Sequence, residues 1–222
     1  MPATPPLGQL LREGTLLLDA AMGTALLARG LRGRAPALNL THPASILDIH
    51  LSHIAAGAGL VLTNTFVGAS AEEASAALRL ARDSGAGYVA AALWAGLPDL
   101  PRQIAQLASA DAIWLEAATS ADQALAAVRA AVKATSLPVV VTCAMRSAPL
   151  QALRDAGAAA AGYNCSPWPD DSADADIVKP DAAGLAPADW VARLARRPLP
   201  RLVGGCCGTN PEHLAGLRAL RP

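Results

Sequence analysis

The sequence predicts an α/β fold, a (β/α)8 barrel, and three features of the chain lead to this prediction. Short apolar runs rich in leucine or β-branched residues recur eight times along its length. Each run ends in a polar or glycine-containing turn, and an alanine-rich stretch with helical spacing follows it. Repeated strand–turn–helix units build a parallel sheet with helices outside, and eight strands close such a sheet into a barrel. A doubly wound open sheet is the alternative topology.

The composition describes one compact domain that acts on small molecules. The chain has 222 residues, of which 53% are hydrophobic and 16% charged, and we expect residues 1–222 to form a single domain. Its 18 basic and 18 acidic residues form no long block of one sign, which argues against nucleic acid or a membrane surface as a partner. No apolar run approaches the roughly 20 residues that span a bilayer.

The first residues lack the basic segment and the apolar core of a signal peptide, so we expect a cytoplasmic protein. The four cysteines should then be reduced. Reduced cysteines serve as buried residues, metal ligands or nucleophiles more often than as disulfide partners.

Each predicted strand is an apolar run followed by a turn signal. The eight predicted strands are Leu16–Asp19, Leu60–Asn64, Tyr88–Trp94, Ala112–Glu116, Val139–Cys143, Gly162–Cys165, Asp176–Lys179 and Arg201–Gly204. Three helix starts carry the capping-box pattern, in which a hydroxyl and a later carboxylate or amide satisfy free backbone N–H groups. They are Ser70 with Glu73, Ser120 with Gln123, and Thr209 with Glu212.

The sixth unit is too short for a complete crossover helix. Barrels of this type usually have roughly 250 residues, so this one is shortened. Only thirteen residues separate Cys165 from Lys179, and the prolines and aspartates among them resist a helix. We therefore predict that the sixth crossover helix is reduced or missing and that a loop or a single helical turn replaces it.

Polar residues that are unusual in a core fall at the ends of the predicted strands. They are Asp19, Asn64, Glu116, Cys143, Asn164, Cys165 and Lys179, with Cys206 and Cys207 after the eighth strand. In a parallel barrel all eight carboxyl ends point to one face, where catalytic groups are placed. The sequence therefore predicts a reactive site at that face.

The cysteines give this site its chemistry. A catalytic zinc ion takes three protein ligands and keeps a fourth position open, and thiolates suit it. Cys165, Cys206 and Cys207 supply three such ligands if the barrel brings the sixth and eighth strand ends together. Cys143 as a fourth thiolate would close the site and make it structural, but a small buried residue is the simpler expectation. A redox-active Cys206–Cys207 pair is the other alternative, and it requires a strained disulfide.

Four motifs resemble the homocysteine S-methyltransferase family: Asp19–Thr24, Thr63–Phe66, Gly162–Ser166 and Gly204–His213. The segments Asn39–Pro43, His50–Ala58 and Lys179–Gly184 also resemble it, so the similarity covers almost the whole chain. The resemblance implies a zinc-dependent barrel of methionine biosynthesis that methylates the thiol of L-homocysteine to give methionine. It also implies that Cys165, Cys206 and Cys207 bind the Zn²⁺ ion.

The resemblance also assigns substrate-binding residues. It implies that Asp19 and Glu116 face the ammonium group of the substrate. Met22, Gly23, Thr24, Asn64 and Asn164 complete the substrate site that the resemblance implies. The family usually has threonine at the position of Ala117 and asparagine at that of Asp181.

The methyl donor must present its methyl group on a good leaving group. A sulfonium such as S-methylmethionine or S-adenosylmethionine, a quaternary ammonium such as betaine, and a methyl-corrinoid protein all meet this requirement. Because the sixth unit leaves little protein to enclose a small donor, we favour a donor delivered by a partner protein. The chain has no glycine-rich loop that resembles a dinucleotide site.

Two other functions fit the same residues. The chain is alternatively a non-catalytic zinc- or thiol-binding barrel, or a methyltransferase for selenocysteine or another thiol. Lys179 at a strand end has a role at the barrel mouth or forms a Schiff base. We expect the histidines to cap or pack helices, and these are His42, His50, His53 and His213.

Overall fold

The computed structural model describes residues 6–165 and 172–220, which form a barrel of eight parallel strands surrounded by helices. The strands are β1 (Leu16–Leu17), β2 (Leu60–Leu62), β3 (Tyr88–Trp94), β4 (Ala112–Ala118), β5 (Val139–Cys143), β6 (Ala160–Asn164), β7 (Ile177–Lys179) and β8 (Leu202–Val203). The α-helices are α1 (Leu7–Glu13), α2 (Met22–Ala28), α3 (Leu38–Thr41), α4 (Pro43–Ala55), α5 (Ala71–Asp83), α6 (Leu100–Gln106), α7 (Ala121–Ala134), α8 (Leu150–Asp155), α9 (Pro187–Leu194) and α10 (Pro211–Ala219).

The strand order confirms the predicted barrel. Each strand from β2 to β7 pairs in parallel with its successor, and β8 pairs with β1. A single parallel bridge between Leu18 and Leu60 connects β1 with β2 and completes the ring. The backbone N–H of Gly59 also donates to the carbonyl oxygen of Leu17 at 2.8 Å. All eight carboxyl ends therefore lie at one end of the barrel.

Alternating strand residues build two apolar layers. One cluster fills the barrel interior, where the fully buried indole of Trp114 packs with small side chains such as Ala90 and Ala112. Leu7 and Leu11 of α1 belong to the same cluster, so this helix covers the amino-terminal end of the barrel. The second cluster joins the outer faces of the strands to the surrounding helices. The interior is therefore packed with side chains below the site, as expected for this architecture.

Side-chain caps begin the helices at two of the three predicted places. Ser70 forms a complete capping box with Glu73, and the hydroxyl of Ser120 accepts from the backbone N–H of Gln123. The third prediction is wrong by one residue, because α10 is capped by Asn210 and not by Thr209. The hydroxyl of Thr209 instead donates to the carbonyl oxygen of Cys206 at 2.6 Å.

The sixth connection is described from residue 172 onward, and this part agrees with the predicted reduction of its helix. Its described part contains one 3-10 turn, Ser172–Asp174, and no α-helix. Residues 166–171, on which part of that prediction falls, lie outside the described residues.

The longest α-helix of the described ranges, α7, has 14 residues, and no helix there is long and apolar enough to cross a membrane.

Candidate metal and substrate site

Three cysteine thiols meet at the carboxyl end of the barrel. Cys165 directly follows β6, while Cys206 and Cys207 follow β8. The Sγ of Cys165 lies 2.7 Å from that of Cys206 and 3.2 Å from that of Cys207, and all three lie within 4.8 Å of one another. Within residues 6–165 and 172–220 this is the only such group of three potential metal ligands. Thiolates are ligands that soft divalent metals prefer, so the group can hold a metal ion.

The backbone turns that present these thiols require unusual conformations. A Cβ atom on Gly205 would lie 2.2 Å from Oγ1 of Thr209, and one on Gly204 would lie 2.7 Å from the carbonyl oxygen of Asp19. Only glycine allows such close approaches. Cys165 has a φ of 50°, a left-handed conformation that is uncommon for a residue with a side chain. The local backbone is thus shaped to bring the thiols together.

The three thiols differ in acidity. Hydrogen bonds from Cys165 and Cys206 lower the pKa of Cys207 to about 3. The pKa of Cys165 is raised, because its hydrogen bonds to Cys206 and Cys207 favour the protonated form. The cluster therefore favours a thiolate at Cys207, and the thiolate is the form that binds a metal.

A buried lysine and two carboxylates lie beside the thiols, and they form what we call the acidic pocket: Asp19, Glu116 and Lys179. The Nζ of Lys179 lies 2.9 Å from Oδ1 of Asp19 and 3.8 Å from Oε1 of Glu116. The side chains of Lys179 and Asp19 are each 3% exposed, and that of Glu116 is 12% exposed. Because these residues come from β7, β4 and the end of β1, the acidic pocket spans the barrel.

Burial and mutual attraction set the charges in the acidic pocket. Burial opposes the charge of Lys179, but Asp19 and Glu116 outweigh it and raise the pKa of Lys179. Burial raises the pKa of Glu116 to about 7, with Lys179 opposing and Cys206 and Asp19 adding to the increase. Lys179 is therefore a fixed cation, while Glu116 titrates near neutral pH.

A bulge in β4 positions Glu116. The pairing of β4 with β5 shifts register between Leu115 and Ala118, and Ala117 adopts a left-handed φ of 58°. The side-chain oxygen of Asn164 accepts a hydrogen bond from the backbone N–H of Ala117 at 3.1 Å. Its nitrogen lies 3.9 Å from Sγ of Cys206. Asn164 thus contacts both the strand that carries Glu116 and the thiol cluster.

One cavity of about 230 Å³ connects the thiols with the acidic pocket. The structure places all ten predicted site residues around it: Asp19, Met22, Gly23, Thr24, Asn64, Glu116, Asn164, Cys165, Cys206 and Cys207. Their roles as ligands stay predictions. Cys143 does not join them, because it is fully buried in β5, where burial raises its pKa to about 12. This agrees with the expectation of a small core residue.

Two apolar residues at the mouth of this cavity were not predicted as site residues. Phe66 and Val67 line it, and they are 37% and 49% exposed. The backbone N–H of Trp94, itself 37% exposed, donates to the carbonyl oxygen of Phe66 at 2.8 Å. The available signal was their position, since Phe66 and Val67 directly follow the polar segment 63–65 after β2. We call Phe66, Val67 and Trp94 the apolar rim.

None of the four histidines belongs to the group of three thiols, and three of them cap or pack helices, as predicted. His50 and His53 are buried in α4, and burial lowers the pKa of His50 to about 4. His213 completes the cap of α10 with Asn210. Its ring packs edge-on against the ring of Trp190, and the two ring centres are 5.3 Å apart. His42 stands at the amino-terminal cap position of α4, but it is exposed and forms no side-chain cap hydrogen bond there, so the prediction is wrong for this residue.

The fold and the site together define a parallel α/β barrel enzyme with a thiol-lined centre at the carboxyl ends of its strands. The sequence profile described as homocysteine S-methyltransferase matches residues 16–95 and 100–220. The chain therefore belongs to the homocysteine S-methyltransferase family and is a methyltransferase enzyme. Among curated proteins, no sequence matches this chain.

Solved structures with the same fold include the homocysteine methyltransferase MmuM from Escherichia coli. Its metallated form aligns with a TM-score of 0.76 at 22% identity, covering 97% of this chain and 99% of that chain. Its apo form aligns with a TM-score of 0.75 at 22% identity, covering 97% and 100%. Its oxidized form gives a TM-score of 0.54 at 17% identity, covering 97% and 99%. These similarities show that the barrel is shared over nearly the full length of both proteins.

Proposed function

We propose that this protein transfers a methyl group from an activated donor to the sulfur of L-homocysteine, giving methionine. The observation that carries the proposal is the placement of three thiols and an acidic pocket around one cavity of about 230 Å³. L-Homocysteine carries a thiol at one end and an ammonium group at the other. A thiol-bound metal and a carboxylate in one cavity match these two groups, and family membership supports the same acceptor.

Cys165, Cys206 and Cys207 are the proposed ligands of a zinc ion. Their convergence and the low pKa of Cys207 fit a thiolate ligand set, and three is the number of protein ligands in catalytic zinc sites. The existence of a metallated MmuM structure supports a metal in this fold. Bound zinc supplies a Lewis acid that favours the thiolate form of the acceptor sulfur at neutral pH, where a free thiol of pKa about 8.5 is mostly protonated.

The protein side chains orient the acceptor for transfer. A carboxylate of the acidic pocket binds the amino end, which directs the sulfur toward the cysteines. Met22, Gly23, Thr24, Asn64 and Asn164 form the walls of the same cavity. The acceptor thiol loses its proton to water, its sulfur forms a bond to the methyl carbon, and the bond from that carbon to the donor breaks. Fixing the acceptor at both ends supplies the alignment that this in-line attack requires.

The proposed donor is a methyl-corrinoid group carried by a partner protein. Only thirteen residues lie between Cys165 and Lys179, so little chain is available there to enclose a small donor. The apolar rim, with Phe66 at 37% and Val67 at 49% exposure, offers a surface at the mouth for a docked protein. S-Methylmethionine, S-adenosylmethionine and betaine are the free donors that a test compares with it.

The test combines metal analysis with parallel assays on purified protein. Homocysteine methylation is measured with a methyl-corrinoid protein, S-methylmethionine, S-adenosylmethionine and betaine, in the wild type and in Cys207→Ser. Methionine formation that Cys207→Ser abolishes and Cys143→Ala retains supports the proposal. A zinc-loaded wild type that is inactive with every donor would instead indicate a non-catalytic barrel. Faster methylation of selenocysteine or another thiol would change the acceptor.

A further inference from the structure

The two carboxylates of the acidic pocket are not equivalent. Asp19 uses both of its oxygens within the protein: Oδ1 accepts from Nζ of Lys179 at 2.9 Å, and Oδ2 accepts from the backbone N–H of Leu62 at 2.8 Å. The Asp19 side chain is only 3% exposed. An acceptor molecule in the cavity therefore meets an aspartate that is already neutralised and hydrogen-bonded.

Glu116 is placed differently. The ion pair of its side chain within the described part of the chain is with Nζ of Lys179, 3.8 Å from Oε1, which is longer than a hydrogen bond. The side chain is 12% exposed and lines the cavity. Glu116 thus keeps oxygen atoms available to a cation that enters from the mouth.

The side chain of Lys179 is enclosed by protein. Its side chain is 3% exposed, and its Nζ lies 5.8 Å from the ring centre of the fully buried Trp114. One lysine and two carboxylates leave one negative charge in the acidic pocket when all three are ionised. That charge matches a single ammonium group, and the contacts of Asp19 assign the match to Glu116.

We propose that Lys179 is a positioning residue: it pairs with Asp19 and leaves Glu116 as the one carboxylate that receives the ammonium group of the acceptor. The inference rests on the proposed function and deepens it. It makes Asp19 a positioning residue that holds Lys179, and it selects thiols that carry one amino group. This differs from the family resemblance, which implies that both Asp19 and Glu116 face the ammonium group.

The experiment compares L-homocysteine with 4-sulfanylbutanoate, the same thiol acid without the amino group. The ratio of their dissociation constants on the zinc-loaded protein, measured by calorimetry, reports how well the ammonium group is recognised. The ratio of their KM values gives the same comparison during turnover. The variants are Glu116→Gln, Lys179→Met and the double variant Asp19→Asn with Lys179→Met.

Each variant has a distinct expected result. Glu116→Gln should reduce the preference for homocysteine by about 10- to 100-fold, as expected for loss of a charged hydrogen bond. The double variant removes an ion pair as a unit, so the preference should stay within about 3-fold of the wild type. Lys179→Met alone should increase the preference several-fold, because it frees Asp19 for the ammonium group. Thermal melting followed by circular dichroism checks that each variant is folded.

Three results would overturn the inference: a preference that survives in Glu116→Gln, one that the double variant loses, or one that Lys179→Met leaves unchanged. A Lys179→Met protein that does not fold leaves the decision to Glu116→Gln and the double variant. Wild-type protein that binds homocysteine without methylating it refutes the proposed function and not the binding inference. Wild-type protein that binds both acids equally refutes the inference alone, provided that homocysteine is methylated.

Discussion

The side-chain oxygen of Asn164 accepts a hydrogen bond from the backbone N–H of Ala117 at 3.1 Å, so the end of β6 supports the bulge of β4. Ala117 follows Glu116 directly and has a left-handed φ of 58°. A non-glycine residue in this conformation persists only where its surroundings hold it in place. The bond therefore ties the position of a charged group in the cavity to a side chain next to the thiols.

Asn164→Ala should lower stability and weaken acceptor binding together. The variant leaves the N–H of Ala117 without its partner, which costs about 1 to 3 kcal/mol. The displaced bulge should also raise the KM for homocysteine. Urea unfolding and steady-state kinetics measure the two effects.

Gln103→Ala is the matched control for this prediction. Gln103 is also a buried amide that accepts a backbone N–H, that of Ala69 at 2.8 Å, but it does not line the cavity. It should lose stability and keep the wild-type KM. Equal KM values in Asn164→Ala and the wild type would show that the bulge does not position Glu116.

Metal content should depend on the three clustered thiols and not on Cys143. The wild type is expected to bind about one zinc ion per chain, and Cys206→Ser or Cys207→Ser should lose most of it. Cys143→Ala should stay near full occupancy, since its thiol is buried in β5. Elemental analysis after dialysis against a weak chelator measures the content.

Full occupancy in both serine variants would refute the three-thiolate centre. A large loss in Cys143→Ala would instead support a closed site with four thiolates.

His50 should make the fold sensitive to acid. Burial lowers its pKa from 6.5 to about 4, with Asp19 opposing and His53 adding to the decrease. The unfolded chain therefore takes up a proton near pH 6.5, while the folded protein does so only near pH 4. The contribution of His50 to the free energy of unfolding is fully present above pH 6.5. It is lost as the pH falls toward 4, and the loss approaches about 3 kcal/mol.

His50→Leu should flatten this pH dependence. Within the described residues neither ring nitrogen of His50 has a hydrogen-bond partner, so leucine breaks no such bond. His42→Leu, at an exposed position at the start of α4, should keep the wild-type slope. Urea unfolding at pH 8, 6, 5 and 4.5 makes the comparison, and identical slopes in His50→Leu and the wild type would contradict the prediction.

Free small donors should be poor substrates, while a methyl-corrinoid protein should be a good one. Efficient transfer needs the methyl carbon held roughly 3 to 3.5 Å from the acceptor sulfur, and residues that enclose the donor supply this positioning. The sixth connection has few residues for that purpose. Phe66→Ser should then weaken turnover with the partner protein through the apolar rim.

Steady-state kinetics with each donor decide the matter. Efficient turnover with free S-methylmethionine or betaine, in the absence of any partner protein, would show that this barrel encloses its own donor.

The fold was largely predictable, because buried parallel strands are continuous apolar runs. Two strands, Tyr88–Trp94 and Val139–Cys143, have the predicted bounds. β1 is shorter than predicted and ends at Leu17. The carbonyl oxygen of Asp19 still accepts from the backbone N–H of Gly205 at 3.0 Å, while its side chain turns into the cavity and accepts from the N–H of Leu62. The cap of α10 was misplaced because Thr209 and Asn210 are both good capping residues. Only the contact of Thr209 with Cys206 distinguishes them.

The site was predictable in its location and thiols, but not in its ion pair. Strand ends fix which residues reach the mouth of a parallel barrel, which is why Cys165 and Cys206 were expected to meet. The contact of Lys179 with Asp19 joins residues 160 positions apart, and it depends on side chains that reach across the barrel. Sequence spacing carries no information on which cation neutralises which carboxylate there.

The helix α1 forms the floor of the barrel, and none of its residues lines the cavity at the opposite end. Leu7 and Leu11 cover the end opposite the thiols, and Trp114 fills the space between that floor and Lys179. Apolar packing that stabilises the fold and polar residues of the site therefore lie at opposite ends of the barrel. A directed-evolution library confined to mouth positions that do not support the bulge of β4 can therefore vary acceptor and donor contacts while leaving the packing of Leu7, Leu11 and Trp114 unchanged.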